Sequence, residues 1–122
     1  MLVVHRFTVA DGGGERFLAR ARTAVAALAG RPGYRGGWVG QAPDEPSAWV
    51  MATLWDGIGA YRRALSSYEA KLDAHPLLAE ADGGPGAYEV RYADEPGTAP
   101  REHPSGRAPD ADTTGPARGA QA

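Results

Sequence analysis

The eight residues AWVMATLW (48–55) are apolar in both phases of a strand. Ala48, Val50, Ala52 and Leu54 alternate with Trp49, Met51, Thr53 and Trp55. Successive side chains of a strand point to opposite sides of its sheet, so neither face of this segment suits water. The N-terminal stretch LVVHRFTV (2–9) repeats the pattern, with Val3, His5, Phe7 and Val9 on one side and Leu2 and Val4 on the other. A sheet built from such strands has to be covered twice.

The remaining elements supply only one cover. Phe17, Leu18, Ala21, Val25 and Leu28 recur at helical spacing between Glu15 and Leu28, and Gly30 and Pro32 end that helix. YRGGWVGQ (34–41) and the apolar strand at 48–55 flank the turn APDEP, which predicts an antiparallel pair. Asp56 is a suitable N-cap for a second helix, whose stripe of Tyr61, Leu65, Tyr68, Leu72 and His75 is continuous unless Ser66 and Glu69, at capping-box spacing, break and restart it. AYEVRY (87–92) closes the set as a strand. The order β-α-β-β-α-β is that of an α+β, ferredoxin-like unit with a four-stranded antiparallel sheet. Right-handed crossovers put both helices on one face. The other face is a large apolar patch of a kind that soluble monomers seldom expose, which predicts a homodimer joined through the sheet faces.

From Ala93 onward there is no Val, Ile, Leu, Met, Phe, Tyr or Trp. Such a segment buries too little to offset its ordering entropy, so the folded domain is expected at 1–92 and a disordered Pro/Gly/Ala-rich tail at 93–122. The formal charge of −2 belongs to the tail, because residues 1–92 carry ten basic and ten acidic side chains. Without a basic face, nucleic acid is not an expected partner. The absence of cysteine removes disulfides, thiolate metal sites and cysteine nucleophiles. MLVV is too short for a signal sequence and no apolar run is long enough to span a bilayer, so no membrane partner and a cytoplasmic location are expected.

The element order, the RPGYRGG turn and WVMATLWDGIGAY, a strand running through tryptophan into a helix, resemble the antibiotic biosynthesis monooxygenase family of dimeric α+β barrels. The resemblance covers most of residues 1–92 and none of the tail. It implies a cavity for a small hydrophobic or aromatic ligand between helices and sheet in each subunit. Relatives include cofactor-independent oxygenases of aromatic polyketides, haem-degrading enzymes and members without an assigned reaction. Three readings follow: a cofactor-independent monooxygenase of a phenolic metabolite, a non-catalytic ligand-binding or accessory dimer, and a haem-binding member.

The chemistry-bearing residues are few. His5 shares a strand face with Val3, Phe7 and Val9. In a cavity it is a neutral base; the alternatives are a core histidine bonded to a tyrosine, or an interface residue. Tyr61 and Tyr68 are candidates for donating to a substrate oxygen. Phe7, Trp55, Leu65, Leu72 and His75 are candidates for the pocket wall. His75 precedes Pro76, which disfavours helical geometry there and makes His75 a helix-end cap or a group at the cavity mouth. The resemblance adds the alternative of an iron ligand, since haem-degrading relatives carry a histidine nearby, together with an asparagine and a helical tryptophan that this chain lacks. The oxygenases also use a cavity asparagine, whereas Gln41 is the only side-chain amide before the tail. No resident cofactor and no metal site are expected. Arg62 and Arg63 read as solvated, DGGG (11–14) as a turn, and His103 as isolated in the tail.

Overall fold

The computed structural model describes residues 1–106, and these fall into two units, Met1–Tyr88 and the segment from Glu89 onward. In the first, β1 (Leu2–Thr8), α1 (Gly14–Ala29), β2 (Tyr34–Gln41) and β3 (Ala48–Trp55) are followed by three short helices, α2 (Ile58–Leu65), α3 (Tyr68–Asp73) and α4 (His75–Leu78), and by β4 (Ala87–Tyr88). The sheet is antiparallel with strand order β2-β3-β1-β4, the ferredoxin-like arrangement.

The register pairs Phe7 with Trp49, His5 with Met51 and Val3 with Thr53 on one face. These residues are buried except His5, which is half-buried. The helices cover this face with Phe17, Ala21, Ala24 and Leu28 of α1, Ala60, Tyr61 and Ala64 of α2, and Leu77 of α4. Alanines at the closest positions bring the helix backbones near the strands, while each large side chain removed from water contributes roughly 1.5–3 kcal/mol. Rings gather at both ends of the layer. Phe17 lies 5.0 Å from Phe7 and 5.2 Å from Trp49, and Trp55 lies 5.4 Å from Tyr34 and 5.6 Å from Tyr61.

The opposite face carries Leu2, Val4, Val50, Ala52 and Leu54, with Trp38 58% and Tyr88 40% exposed at its edges. No helix of this unit packs on it. The imbalance expected from the alternation of residues 48–55 is present in the fold.

The break in the second helix takes the alternative left open by the sequence but with a different cap, and the cap of α2 and the end of the last strand differ from expectation. The second helix is not continuous. It breaks at Ser66–Ser67, and Ser67 rather than Ser66 is the cap, its hydroxyl accepting from Ala70 N–H at 3.2 Å and donating to Ala64 C=O at 2.7 Å. Asp56 does not cap α2. Its N–H is held by Gly33 C=O, its carboxylate lies 3.9 Å from Arg35, and Gly57 occupies the cap position. The last strand stops at Tyr88 instead of Tyr92, because Leu2, the first residue of β1, stands opposite Tyr88 and leaves later residues no β1 partner.

In the second unit, β5 (Tyr92–Ala93) pairs with β6 (Arg101–Glu102), of which all but Tyr92 fall in the segment expected to lack structure. Polar links rather than apolar burial hold it. Arg91 donates to His103 C=O, Gly106 N–H to Glu89, and Arg101 to Glu95. The rest of the expected tail, 107–122, lies outside the described residues.

The turn from α1 to β2 sets where the sheet begins. Tyr34 N–H returns to Arg31 C=O, Pro32 sits second, and Gly33 adopts φ +90, the backbone that a proline–glycine turn requires. A Cβ at Gly33 would run into the Cβ of Ala60. Gly33→Ala is therefore expected to cost at least about 2 kcal/mol. Gly30→Ala, at an ordinary φ with open space around it, is expected to be neutral or to stabilise by about 0.5 kcal/mol. Thermal melts of the two variants compare them directly.

Candidate functional site

The covered face of the sheet is apolar at both ends and carries polar groups at its middle rungs, His5 opposite Met51 and Thr53 opposite Val3. His5 lies on this face and not on the open one, which decides between the two placements that the sequence left open. Its ring packs beside the chain entering β4, close enough that a Cβ on Gly86 would lie 3.3 Å from Nε2. His5 Nδ1 is sealed from solvent and has no hydrogen-bond partner. The alternative of a core histidine satisfied by a tyrosine is not what the structure shows. Burial pushes the His5 pKa down, because the charged imidazolium loses hydration that nothing here replaces. The ring is a neutral base with a lone pair or an N–H left over.

Thr53 is not free in the same way. Its hydroxyl accepts from the Trp55 indole N–H at 2.8 Å. That bond lets Trp55, fully buried, sit between Tyr34 and Tyr61, which makes it a core ring rather than a wall open to a ligand. Tyr61 is buried against it. Burial raises the phenol's pKa, so the group stays protonated and can only donate from its O–H or accept at oxygen.

The other expected site residues are dispersed. Phe7 lines a groove of about 310 Å³ between the end of β1 and the first turns of α1, where Phe17, Arg16 and Arg20 also face. Leu65 packs against the core. Tyr68 is 72% and Leu72 56% exposed, because the break at Ser66–Ser67 rolls α3 so that Ala70 faces inward. His75 is exposed and opens α4 rather than ending a helix. Its Nε2 lies 2.7 Å from Leu65 C=O, an acceptor, so that nitrogen carries the proton and ties α4 back to α2. Gln41 is likewise spent, donating to Pro46 C=O at 2.9 Å. Among the described residues no group of three or more His, Cys, Asp or Glu is placed to hold a metal ion, and no helix is long and apolar enough to cross a membrane.

One residue was missed by the sequence reading. Arg20 of α1 forms a bidentate pair with Glu80, at 3.1 and 2.6 Å, along the groove wall. Its place three residues after Phe17 was a local signal; its partner sixty residues away had none.

Residues 1–75 match the family model described as antibiotic biosynthesis monooxygenase. The chain belongs to that family. Among solved structures, this antibiotic biosynthesis monooxygenase domain is similar to SnoaB from Streptomyces nogalater, a cofactor-independent oxygenase, with 27% identity and a TM-score of 0.64 over 74% of this chain and 91% of that one. A SnoaB variant with one asparagine replaced by alanine gives 31% identity and a TM-score of 0.61 over the same shares. The present chain contains no asparagine. A conserved protein from Methanosarcina mazei Go1, 21% identical over 66% of this chain and 78% of that one with a TM-score of 0.57, shares the fold. No curated protein matches.

The neutral state of His5 has a consequence for stability. Its folded pKa lies below the unfolded value of about 6.5, so between the two the unfolded chain binds more protons and stability rises with pH. The contribution is complete above the unfolded value and is lost as pH falls toward the folded one. Melting temperatures measured from pH 7.5 to 5 are expected to fall for the wild type and to fall less for His5→Leu. A slope unchanged by the substitution would place the imidazole in water.

Proposed function

We propose that the protein is a cofactor-independent monooxygenase of an electron-rich phenolic aromatic, with His5 as its general base. The observation that carries the reading is the sealed, unpartnered Nδ1 of a neutral imidazole on the covered sheet face. The likeness to SnoaB, a cofactor-independent oxygenase, supports the reaction class.

In this reading the substrate carries a methylene flanked by phenolic rings. His5 removes a proton from the phenol or the methylene, and Tyr61, kept protonated by burial, donates to the resulting oxyanion. The carbanion gives one electron to dioxygen, and the radical pair collapses to a peroxide at the methylene carbon. The peroxide loses water. One oxygen atom ends as the new carbonyl and the other as water, so the substrate supplies every electron. An apolar surround favours the first step by keeping imidazole neutral at pH 7. Tyr68, exposed on α3, takes no part.

Two further elements belong to this proposal. A second copy covers the open sheet face, giving a homodimer with one site per subunit, and the protein works in the cytoplasm.

Oxygen uptake with an anthrone-type phenol tests the chemistry. The expected outcome is enzyme-dependent uptake with one quinone formed per dioxygen, and a kcat lowered about 10²–10⁴-fold in His5→Gln. Equal rates in wild type, variant and protein-free buffer would remove the oxygenase. A phenol that raises the melting temperature yet emerges unaltered would then assign the fold to ligand binding alone.

A further inference from the structure

The groove beside Phe7 has a different character from the middle of the sheet. Its floor includes the edges of Phe7 and Phe17, and its rim carries Arg16 and Arg20 against a single carboxylate, Glu80. Gly13, the N-cap of α1 with no side-chain cap of its own, lines it too. Asp82 accepts from the Thr8 hydroxyl at 3.1 Å, and Asp73 lines a separate hollow on the far side of Arg20. Arg16 acts on Glu80 through space and, among the described residues, has no carboxylate within ion-pair distance.

Glu80 occupies Arg20 through two of its guanidinium N–H groups. The pair is partly in water, with side chains 37% and 55% exposed. Exposed pairs of this kind contribute little to stability. They are therefore easily exchanged. A guanidinium fork suits any carboxylate as well as it suits Glu80.

We infer that this groove binds an aromatic carboxylate, with Arg20 as the anion-recognising residue and Glu80 as a built-in competitor that the ligand displaces. The ring lies along Phe7 and Phe17, and the carboxylate takes the N–H groups that Glu80 releases, with Arg16 adding charge at the rim. At about 310 Å³ the space suits a two-ring ligand. The inference rests on the oxygenase reading only in that Phe7, in the rung next to His5, would join this groove to the catalytic face. Binding itself requires no turnover.

The test uses 2-naphthoate and its neutral isostere 2-naphthamide with the full-length chain, followed by shifts of the backbone amide signals. Naphthoate is expected to move the signals of Thr8, Val9, Ala10 and Gly13. Arg20→Gln is expected to weaken naphthoate about tenfold, an energy ordinary for a hydrogen bond to a charged group. Glu80→Gln is expected to tighten it about threefold. Naphthamide affinity stays within a factor of two in both. The opposite signs are decisive, because a merely structural ion pair is broken equally by either substitution. Changes of the same sign in the two variants, naphthamide tracking naphthoate, or no shift at the groove would overturn the inference. Because no oxygen is consumed, this result stands or falls separately from that of His5→Gln.

Discussion

Everything in this molecule follows from one mismatch: a sheet apolar on both sides and helices enough for one. The strands at Leu2–Thr8 and Ala48–Trp55 alternate apolar residues in both phases, and topology puts all four helices on the Val3–Phe7 face. The consequence on that face is an apolar core with a half-buried histidine in it, its Nδ1 sealed from solvent. The consequence on the other is a face that no helix of Met1–Tyr88 covers, bordered by Trp38 and Tyr88. The proposed site and the proposed interface both trace to this single pattern.

That histidine matters because the core offers its Nδ1 nothing. A buried imidazole nitrogen normally finds a carbonyl or hydroxyl, but the rungs on either side of His5 carry Val3 and Phe7, its cross-strand partner is Met51, and the Thr53 hydroxyl on the same face is engaged by Trp55. An unsatisfied buried nitrogen costs about 1–3 kcal/mol. Stability forgone at such a position is the kind of expense that function explains, and the base proposed above would account for it. Membership of the antibiotic biosynthesis monooxygenase family and likeness to a cofactor-independent oxygenase agree with that reading.

Much of this was legible in the chain because it is written in local periodicity. The two-residue alternation of AWVMATLW gave the strand and its faces, and that of LVVHRFTV gave the same-face neighbours of His5. The proline and glycine of RPGY gave the turn. What escaped depended on roll and on distant partners. Tyr68 and Leu72 fit an inward stripe only if the helix runs straight, and one serine cap turned them to solvent. His75 looked like a helix end, yet its Leu65 partner shows it bracing a restart. Arg20 and Glu80 meet across sixty residues, and the strand pair of the second unit is held by charges that composition alone read as solvated.

The two-sided sheet makes its strongest claim about the face left open. Sedimentation velocity at micromolar concentration, on the wild type and on a Leu54→Asp variant shown by circular dichroism to be folded, examines that claim directly. The account predicts twice the chain mass for the wild type and a single chain for the variant. A compact single chain for the wild type throughout the concentration range would contradict it.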